Sequence, residues 1–465
     1  MMELLSRLQF AITITFHIIF PAFSIGLSTY ILILELIWLK TNKNVYYKSI
    51  RFWTKILALT FGMGIISGLS MEFQIGTNWS GFSEKVGPVL GVLFALEGLS
   101  AFFIEATFLG IMLFGWHHFS KKVHLFSTFM VFIGVSLSAF WILAANSWMQ
   151  TPYGVNYING KFIVISWYGV IFNHSTIIRY IHMMLASYIS TMFVVASISA
   201  IYLKRKTHLS FAKQNFKFSL FFIIFLSAMQ VFIGDEVGLK VHEYQPIKTA
   251  AIEGLWDSKK GAPLELFTIF NTKEQKNTFS ISIPYVASII NTHSLDGYLQ
   301  GLKSVPKDQI PYVPLVFYSF RVMVSCGMFM VLYGLFGLYL FYSKKRDLFS
   351  NDLFLKVSIL CAPIGFIALI TGWYTAECGR QPWVVYGYLS TLDAVSRVSP
   401  LKVLEGFLII LVIYGLIFGF GYLRYLKRLV NSGPIIKPRK KLISFVLPKP
   451  KIIKIKNKEI IKCII

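Results

Sequence analysis

Nine apolar runs of about 20 residues or more dominate this sequence, and a run of that length matches the thickness of the hydrocarbon core of a bilayer. In hydrocarbon every backbone N–H and C=O must be paired within its own segment, so each run reads as a helix. The runs lie at 8–38, 54–75, 90–115, 125–147, 178–203, 217–234, 314–342, 354–375 and 402–426. Charged residues make up only 14% of the chain, against roughly 25% in a soluble domain, and the mean hydropathy is +0.63. The expected fold class is therefore all-α, a polytopic membrane helix bundle of nine transmembrane helices. The first run is too long for the apolar core of a secretory signal and lacks a small-residue cleavage site, so it is expected to remain as the first span.

The formal net charge of +24 raises the question of nucleic acid. The cations do not form one patch. They fall in short clusters between the apolar runs: Lys40, Lys43, Lys48 and Arg51; Lys121 and Lys122; Lys204, Arg205, Lys206 and Lys213; Lys344, Lys345 and Arg346; and a basic tail. These are alternate connections, all on one side, and cationic loops mark the cytoplasmic side. The N-terminus is then outside and the C-terminus cytoplasmic, as an odd number of spans requires. No nucleic-acid partner is expected, and the tail from Lys437 to Lys462 is expected near anionic headgroups or in solvent. The chain divides into helices one to six (1–234), an outer polar segment (235–313), helices seven to nine (314–426) and the basic tail (427–465). The outer segment is the natural place for a substrate-binding loop. None of the four cysteines, Cys326, Cys361, Cys378 and Cys463, forms a C-x-x-C pair. That leaves no zinc knuckle, no redox dithiol and no covalent haem attachment of the C-x-x-C-H kind.

An ionisable residue inside a span costs roughly 2.5–3.5 kcal/mol at its centre and is a functional candidate by default. His17 lies in the outer half of the first span and His182 near the outer start of the fifth. Met323 lies at the outer start of the seventh, in Ser319-Phe320-Arg321-Val322-Met323. Each has an ordinary packing explanation, yet His and Met together are an axial pair for low-spin haem iron. Glu97 and Glu105 lie a little over two turns apart in the third span, either a structural pair or stations for protons. Glu377 ends the eighth span, followed by Cys378-Gly379-Arg380-Gln381-Pro382-Trp383, where Arg380 and Trp383 could clamp a haem propionate or edge. Lys248 and Glu253 open the outer segment. They read either as a solvated pair on an amphipathic turn or as the donor and the proton-accepting carboxylate that a quinol headgroup needs. Of the other histidines, His117, His118, His124, His174, His208, His242 and His293, most read as interfacial or solvated.

Several stretches together carry a resemblance. They are Arg7-Leu8-Gln9-Phe10-Ala11 leading to His17; Met71-Glu72-Phe73-Gln74-Ile75-Gly76-Thr77-Asn78-Trp79; Glu97-Gly98 with Ala101-Phe102-Phe103-Ile104-Glu105; Ala145-Asn146-Ser147-Trp148-Met149-Gln150; Lys248-Thr249-Ala250-Ala251-Ile252-Glu253; and Gly379-Arg380-Gln381-Pro382-Trp383. In this order, along nearly the whole chain, the sequence resembles subunit I of the cytochrome bd-type quinol oxidases. The resemblance implies two haems b and one haem d. His182 and Met323 match the axial ligands of a low-spin haem b, with Arg321 beside it. His17 and Glu377 match ligands of the two high-spin haems, Glu97 and Glu105 match carboxylates near them, and Lys248 and Glu253 match quinol-site residues. It implies a terminal oxidase that oxidises quinol on the outer side, reduces O2 to water and generates proton motive force by charge separation. It further implies a second oxidase subunit and a small single-helix accessory subunit as partners. The outer segment lacks the long insertion of some members, so the chain looks like the short-loop branch. A b-type membrane anchor passing quinol electrons to a partner is the runner-up. A proton-coupled transporter is the third reading, and the inverted repeats and broken helices common in such folds are not evident in the sequence.

Overall fold

The computed structural model describes residues 2–343 and 347–434; the basic cluster at 344–346, the tail beyond 434 and Cys463 lie outside the described residues. Among the described residues nine helical stretches are long and apolar enough to span a bilayer. They are α1 (Met2–Thr41), α2 (Asn44–Asn78), α3 (Ser80–Leu96) continuing through a π-helical turn (Glu97–Phe102) into α4 (Phe103–Phe114), and α5 (Lys121–Gln150). After a short α6 (Trp167–Ile171) come α7 (Thr176–Lys204) and α8 (Leu209–Tyr244). Helices α9 (Pro246–Glu253) and α10 (Val286–Thr292) lie in the outer segment. The last spans are α11 (Val313–Tyr342), α12 (Asp352–Leu360) with α13 (Ile364–Cys378), and, after α14 (Thr391–Ala394), α15 (Pro400–Tyr414) running through a second π-helical stretch into α16 (Leu423–Ser432).

Most helices run past the limits that hydropathy alone suggests. Apolar runs report the hydrocarbon core, whereas hydrogen bonding carries a helix on into polar surroundings, as at Asp235–Tyr244 of α8. The eighth span is also not one helix. It turns at Cys361–Pro363 between α12 and α13, where Pro363 has no N–H to continue the ladder. Hydropathy alone predicts an unbroken helix over 354–375.

Polar clamps join the spans where apolar surface alone gives little preference for one neighbour over another. Asn215 of α8 accepts from Tyr30 of α1 and from Trp53 Nε1 of α2 (3.1 Å), and donates to Ser49 of α2 (3.0 Å). Gln74 donates to Thr13 (2.6 Å) and Asn78 to Gln9 (2.8 Å), a ladder between α1 and α2. Small residues allow close crossings: a Cβ on Gly26 would sit 1.9 Å from Thr191 Oγ1 of α7, and one on Gly365 would sit 2.4 Å from Ser190.

The two ends of the bundle differ. At one, Lys121 of α5 reaches Asn42 (2.9 Å), Lys204 of α7 pairs with Asp352 (2.6 Å) and Arg205 reaches Asn431 (3.0 Å). The described basic connections are thus gathered at a single end. At the other, the outer segment is folded rather than a structureless loop. It carries α9, α10, the hairpin β4–β5 (Leu264–Asn271 and Lys276–Ile283) and the short pair β3 (Lys259–Lys260) with β6 (Tyr298–Leu299). A hairpin β1–β2 (Val155–Ile158, Lys161–Val164) and a second small pair β7–β8 (Trp383–Val385, Leu389–Ser390) complete that end.

Candidate functional site

Helix α7 packs on α8 and α13, and α11 packs on the same two helices, so α7 and α11 stand at opposite corners of a four-helix group. His182 is on α7 and Met323 on α11. The Gln230 amide of α8 lies 3.2–3.3 Å from both ring nitrogens of His182, and Gly234, one turn on, faces the ring. Met323 lies against Gly372 of α13, where a Cβ would come within 2.8 Å of the thioether sulfur. Only glycine leaves the methionine that position. The two residues are therefore carried by two helices that both pack on α8 and α13, His182 against α8 and Met323 against α13.

His17 is set differently. Its Nδ1 lies 3.0 Å from Ser67 Oγ of α2, and the Ser67 hydroxyl hydrogen is directed to the backbone carbonyls of Met63 (2.9 Å) and Gly64 (3.0 Å). The serine oxygen is thus left to accept, so Nδ1 carries the ring proton and Nε2 presents a lone pair. That is the tautomer an iron-ligating imidazole presents, held by its second nitrogen.

Glu377 closes α13 inside a buried polar cluster. Its Oε1 accepts from Asn146 (2.9 Å) and Gln150 (3.0 Å) of α5, and its Oε2 accepts from Arg380 (2.5 Å). Arg179 of α7 donates to the Asn146 carbonyl (2.5 Å) and to Ser147 (3.1 Å). Lys248 of α9, 3% exposed, donates to Gln150 Oε1 (2.6 Å). Burial first, and then Arg179 beside it, hold the Lys248 ammonium well below the usual lysine range. Three cations face one carboxylate, a formal excess of two positive charges. Arg380 is 5% exposed, and its Nε and Nη1 have no partner. A buried guanidinium with idle donors is costly unless something anionic meets it, and a propionate has the charge and geometry to do so. Trp383, on β7, is half-buried, and its backbone N–H donates to the Arg380 carbonyl (3.1 Å).

Lys248 and Glu253, five residues apart on α9, do not face one another, and neither is solvated. Glu253, 3% exposed, accepts from Asn291 (3.0 Å) and from Arg321 Nη2 (3.0 Å), while Arg321 Nε donates to the Glu265 carbonyl (2.8 Å). Helix α9 therefore bridges two centres: its start reaches the Glu377 cluster and its end reaches α11, two residues before Met323. Glu97 and Glu105 both face α5. Ser138 donates to Glu97 (2.7 Å), and the Glu105 side chain packs on Gly134, one turn away along α5. The π-helical turn between the two glutamates widens the helix and draws them toward one face. Glu105 is 6% exposed and its Oε1 has no partner.

Residues 5–434 match the sequence profile described as cytochrome bd terminal oxidase subunit I. The chain belongs to that family. The cytochrome bd ubiquinol oxidase subunit 1 of Bacillus subtilis strain 168 is 36% identical over 409 residues, 84% of this chain and 86% of the relative. The cytochrome bd-II ubiquinol oxidase subunit 1 of Escherichia coli K12 is 32% identical over 465 aligned residues, 85% of this chain and 90% of the relative. The solved structure of a bd oxidase from Geobacillus thermodenitrificans superposes with a TM-score of 0.86 at 29% identity, covering 93% of this chain and 98% of that one.

For this oxidase subunit, reading the sequence missed the residues that hold the candidates in place: Ser67, Asn146, Gln150, Arg179, Gln230 and Gly372. Asn146 and Gln150 stand in a quoted motif and Arg179 lies three residues before His182, but which carboxylate they serve depends on helix pairing. One expectation is overturned. His124 is not interfacial. It is 3% exposed and held against Glu35, itself fully buried, because Glu35, Thr128 and the Met112 carbonyl together satisfy its surroundings.

Proposed function

We propose that this chain is the quinol-oxidising, oxygen-reducing subunit of a bacterial inner-membrane cytochrome bd-type oxidase, holding two haems b and one haem d and working with a second subunit and a small single-helix accessory subunit. In this reading the end carrying α9 faces outward, with the N-terminus, and the basic end faces the cytoplasm. What supports the assignment most is the donor set kept in a chain of this family: a His and a Met on two helices that both pack on α8 and α13, a His with one nitrogen pinned, and a carboxylate ringed by cations with idle N–H groups. Haems bound there would supply electron transfer from quinol and the reduction of O2 to water.

The chain's own groups do the rest. His182 and Met323 would hold one haem through their imidazole and thioether, and Gly372 leaves the thioether its place. Ser67 holds the His17 tautomer. Arg380 and Arg179 neutralise anionic groups near Glu377. Lys248 and Glu253 lie at the quinol side, where a quinol releases two protons outward. Glu105, with an idle carboxyl oxygen, and Glu97 take protons that arrive from the cytoplasmic end, so charge separates across the membrane without a pumping element. Replacement of His182 by Ala, or of Met323 by Leu, in the complex purified with its partner is expected to abolish one low-spin haem signal in the reduced-minus-oxidised spectrum. An unchanged spectrum in both variants overturns the assignment.

A further inference from the structure

At the basic end lies a second buried pair of titratable groups that none of the roles above uses. His124 of α5 sits 2.6 Å through Nδ1 from Glu35 Oε1 of α1, and Thr128 donates to Glu35 Oε2 (2.6 Å). The other ring nitrogen of His124 lies 3.0 Å from the Met112 carbonyl of α4. A carbonyl only accepts, so Nε2 carries a hydrogen. The short contact at Nδ1 then admits two states. Either an imidazolium donates to a carboxylate, or a protonated carboxyl donates to a neutral imidazole. Both states hold one shared proton and are neutral overall, which is what lets the pair be wholly buried.

We propose that Glu35 and His124 form a proton-holding station on the cytoplasmic side of this subunit, passing protons inward to Glu105. This rests on the reading of Glu105 as a proton acceptor. Met112 is seven residues further along α4 than Glu105, about 10 Å, the length a proton must cross from the pair to Glu105. In this proposal Glu35 gives its carboxyl proton to water on the way to Glu105, and the O–H bond broken there is replaced when a proton from the cytoplasmic end re-forms the shared N–H–O proton. No net charge stays behind after each turn.

The cytoplasmic end of the pair is closed by aromatic rings. Trp116 lies 3.9 Å from the His124 ring and 5.4 Å from Tyr47, and Trp38 lies 5.2 Å from Tyr47. Two cations lie over this cover: Arg51 of α2 on Trp116 (4.8 Å) and Lys121 of α5 on Trp38 (4.7 Å). They place positive charge on the cytoplasmic side of this cover. A clamp between helices needs no titratable group. The same α1 is tied to α2 by the amide and hydroxyl ladder of Gln9, Thr13, Gln74 and Asn78.

Glu35→Gln is nearly isosteric and can donate its amide to Nδ1, so it keeps the hydrogen bond and removes the exchangeable carboxyl proton. In the assembled oxidase we expect an unchanged haem spectrum, an unchanged quinol KM and an oxygen turnover lower on the order of 10²-fold, with partial recovery in Glu35→Asp. Redox-difference infrared spectra should show a carboxyl C=O band, shifted in D2O, that is lost in E35Q but kept in Glu105→Gln. Full turnover in E35Q with slow turnover in E105Q overturns this proposal alone; full turnover in both overturns the reading of Glu105 beneath it. If E35Q assembles without haem, the wild-type infrared spectrum decides: a D2O-sensitive carboxyl band that survives in the E97Q and E105Q variants supports the station, and its absence overturns it.

Discussion

Two clusters of ionisable residues in the bundle are opposite in kind. The Glu377 cluster holds three cations and one carboxylate, with two guanidinium donors idle on Arg380. The Glu97–Glu105 stretch holds two carboxylates and no cation pairs with either of them among the described residues, with one idle oxygen on Glu105. Idle donors beside excess positive charge are prepared for an anion. An idle carboxyl oxygen in an apolar wall is prepared for a proton. In the proposed reading one cluster anchors a charged group and the other moves protons, so the two should fail in different ways.

The largest expected failure is at Glu377. Glu377→Ala leaves Arg179, Lys248 and Arg380 buried without their carboxylate, a loss of about 3–5 kcal/mol. Thermal unfolding of the detergent-solubilised complex should fall accordingly, and haem content with it. Arg380→Met, which keeps the Glu377 carboxylate, sharpens the comparison. If the cluster only balances itself, Arg179 and Lys248 still compensate Glu377 and both stability and haem content hold. If Arg380 anchors an anionic group, stability holds and haem content falls.

Glu105→Gln should act on the other limb of the comparison. Oxygen turnover is expected to fall on the order of 10²-fold, with quinol KM and haem content unchanged. A change confined to the quinol KM would make Glu105 part of substrate binding and erase the distinction between the clusters.

Gly372→Ala is expected to be milder. Its Cβ would lie 2.8 Å from the Met323 sulfur, so the flexible thioether must shift, with a cost of about 1–3 kcal/mol. The low-spin band in the difference spectrum should move or weaken while the high-spin bands stay. Loss of all haem signals together would mean that the helix group, not the methionine, was disturbed.

What was legible in the sequence follows from how local each signal is. Span number comes from apolar length, a one-dimensional property, and the fold class follows from it. His17, His182, Glu97, Glu105 and Glu377 stand out because a polar residue in an apolar run is conspicuous wherever the helix lies. Their holders do not stand out. Ser67, Asn146, Gln150 and Gly372 are ordinary residues whose value arises only when α2 meets α1, α5 meets α13 and α13 meets α11. His124 is hidden in the sequence for the same reason. It sits three residues from a basic connection, where solvent is the default, and the Glu35 that buries it is 89 residues away. The outer segment looked like a loop because its helices and strands are short and polar on one side. The turn at Cys361–Pro363 was hidden inside an unbroken apolar run.

The subtlest expected effect falls on Lys248, which stands between the two kinds of site: a cation of the Glu377 cluster carried on the helix that ends at Glu253. Because burial and Arg179 hold its ammonium well below the usual lysine range, it loses its charge at a lower pH than an ordinary lysine. If that charge helps hold the quinol headgroup, quinol KM should rise as pH climbs through this depressed value, while turnover at saturating quinol changes little. In Lys248→Arg the guanidinium keeps its charge across the same range, so the alkaline rise in KM should flatten even if the KM at neutral pH is a few-fold poorer. The measurement is KM against pH in the two forms at fixed ionic strength. An alkaline limb that persists unchanged in Lys248→Arg would assign it to another group, and Lys248 would then belong wholly to the anion-anchoring cluster.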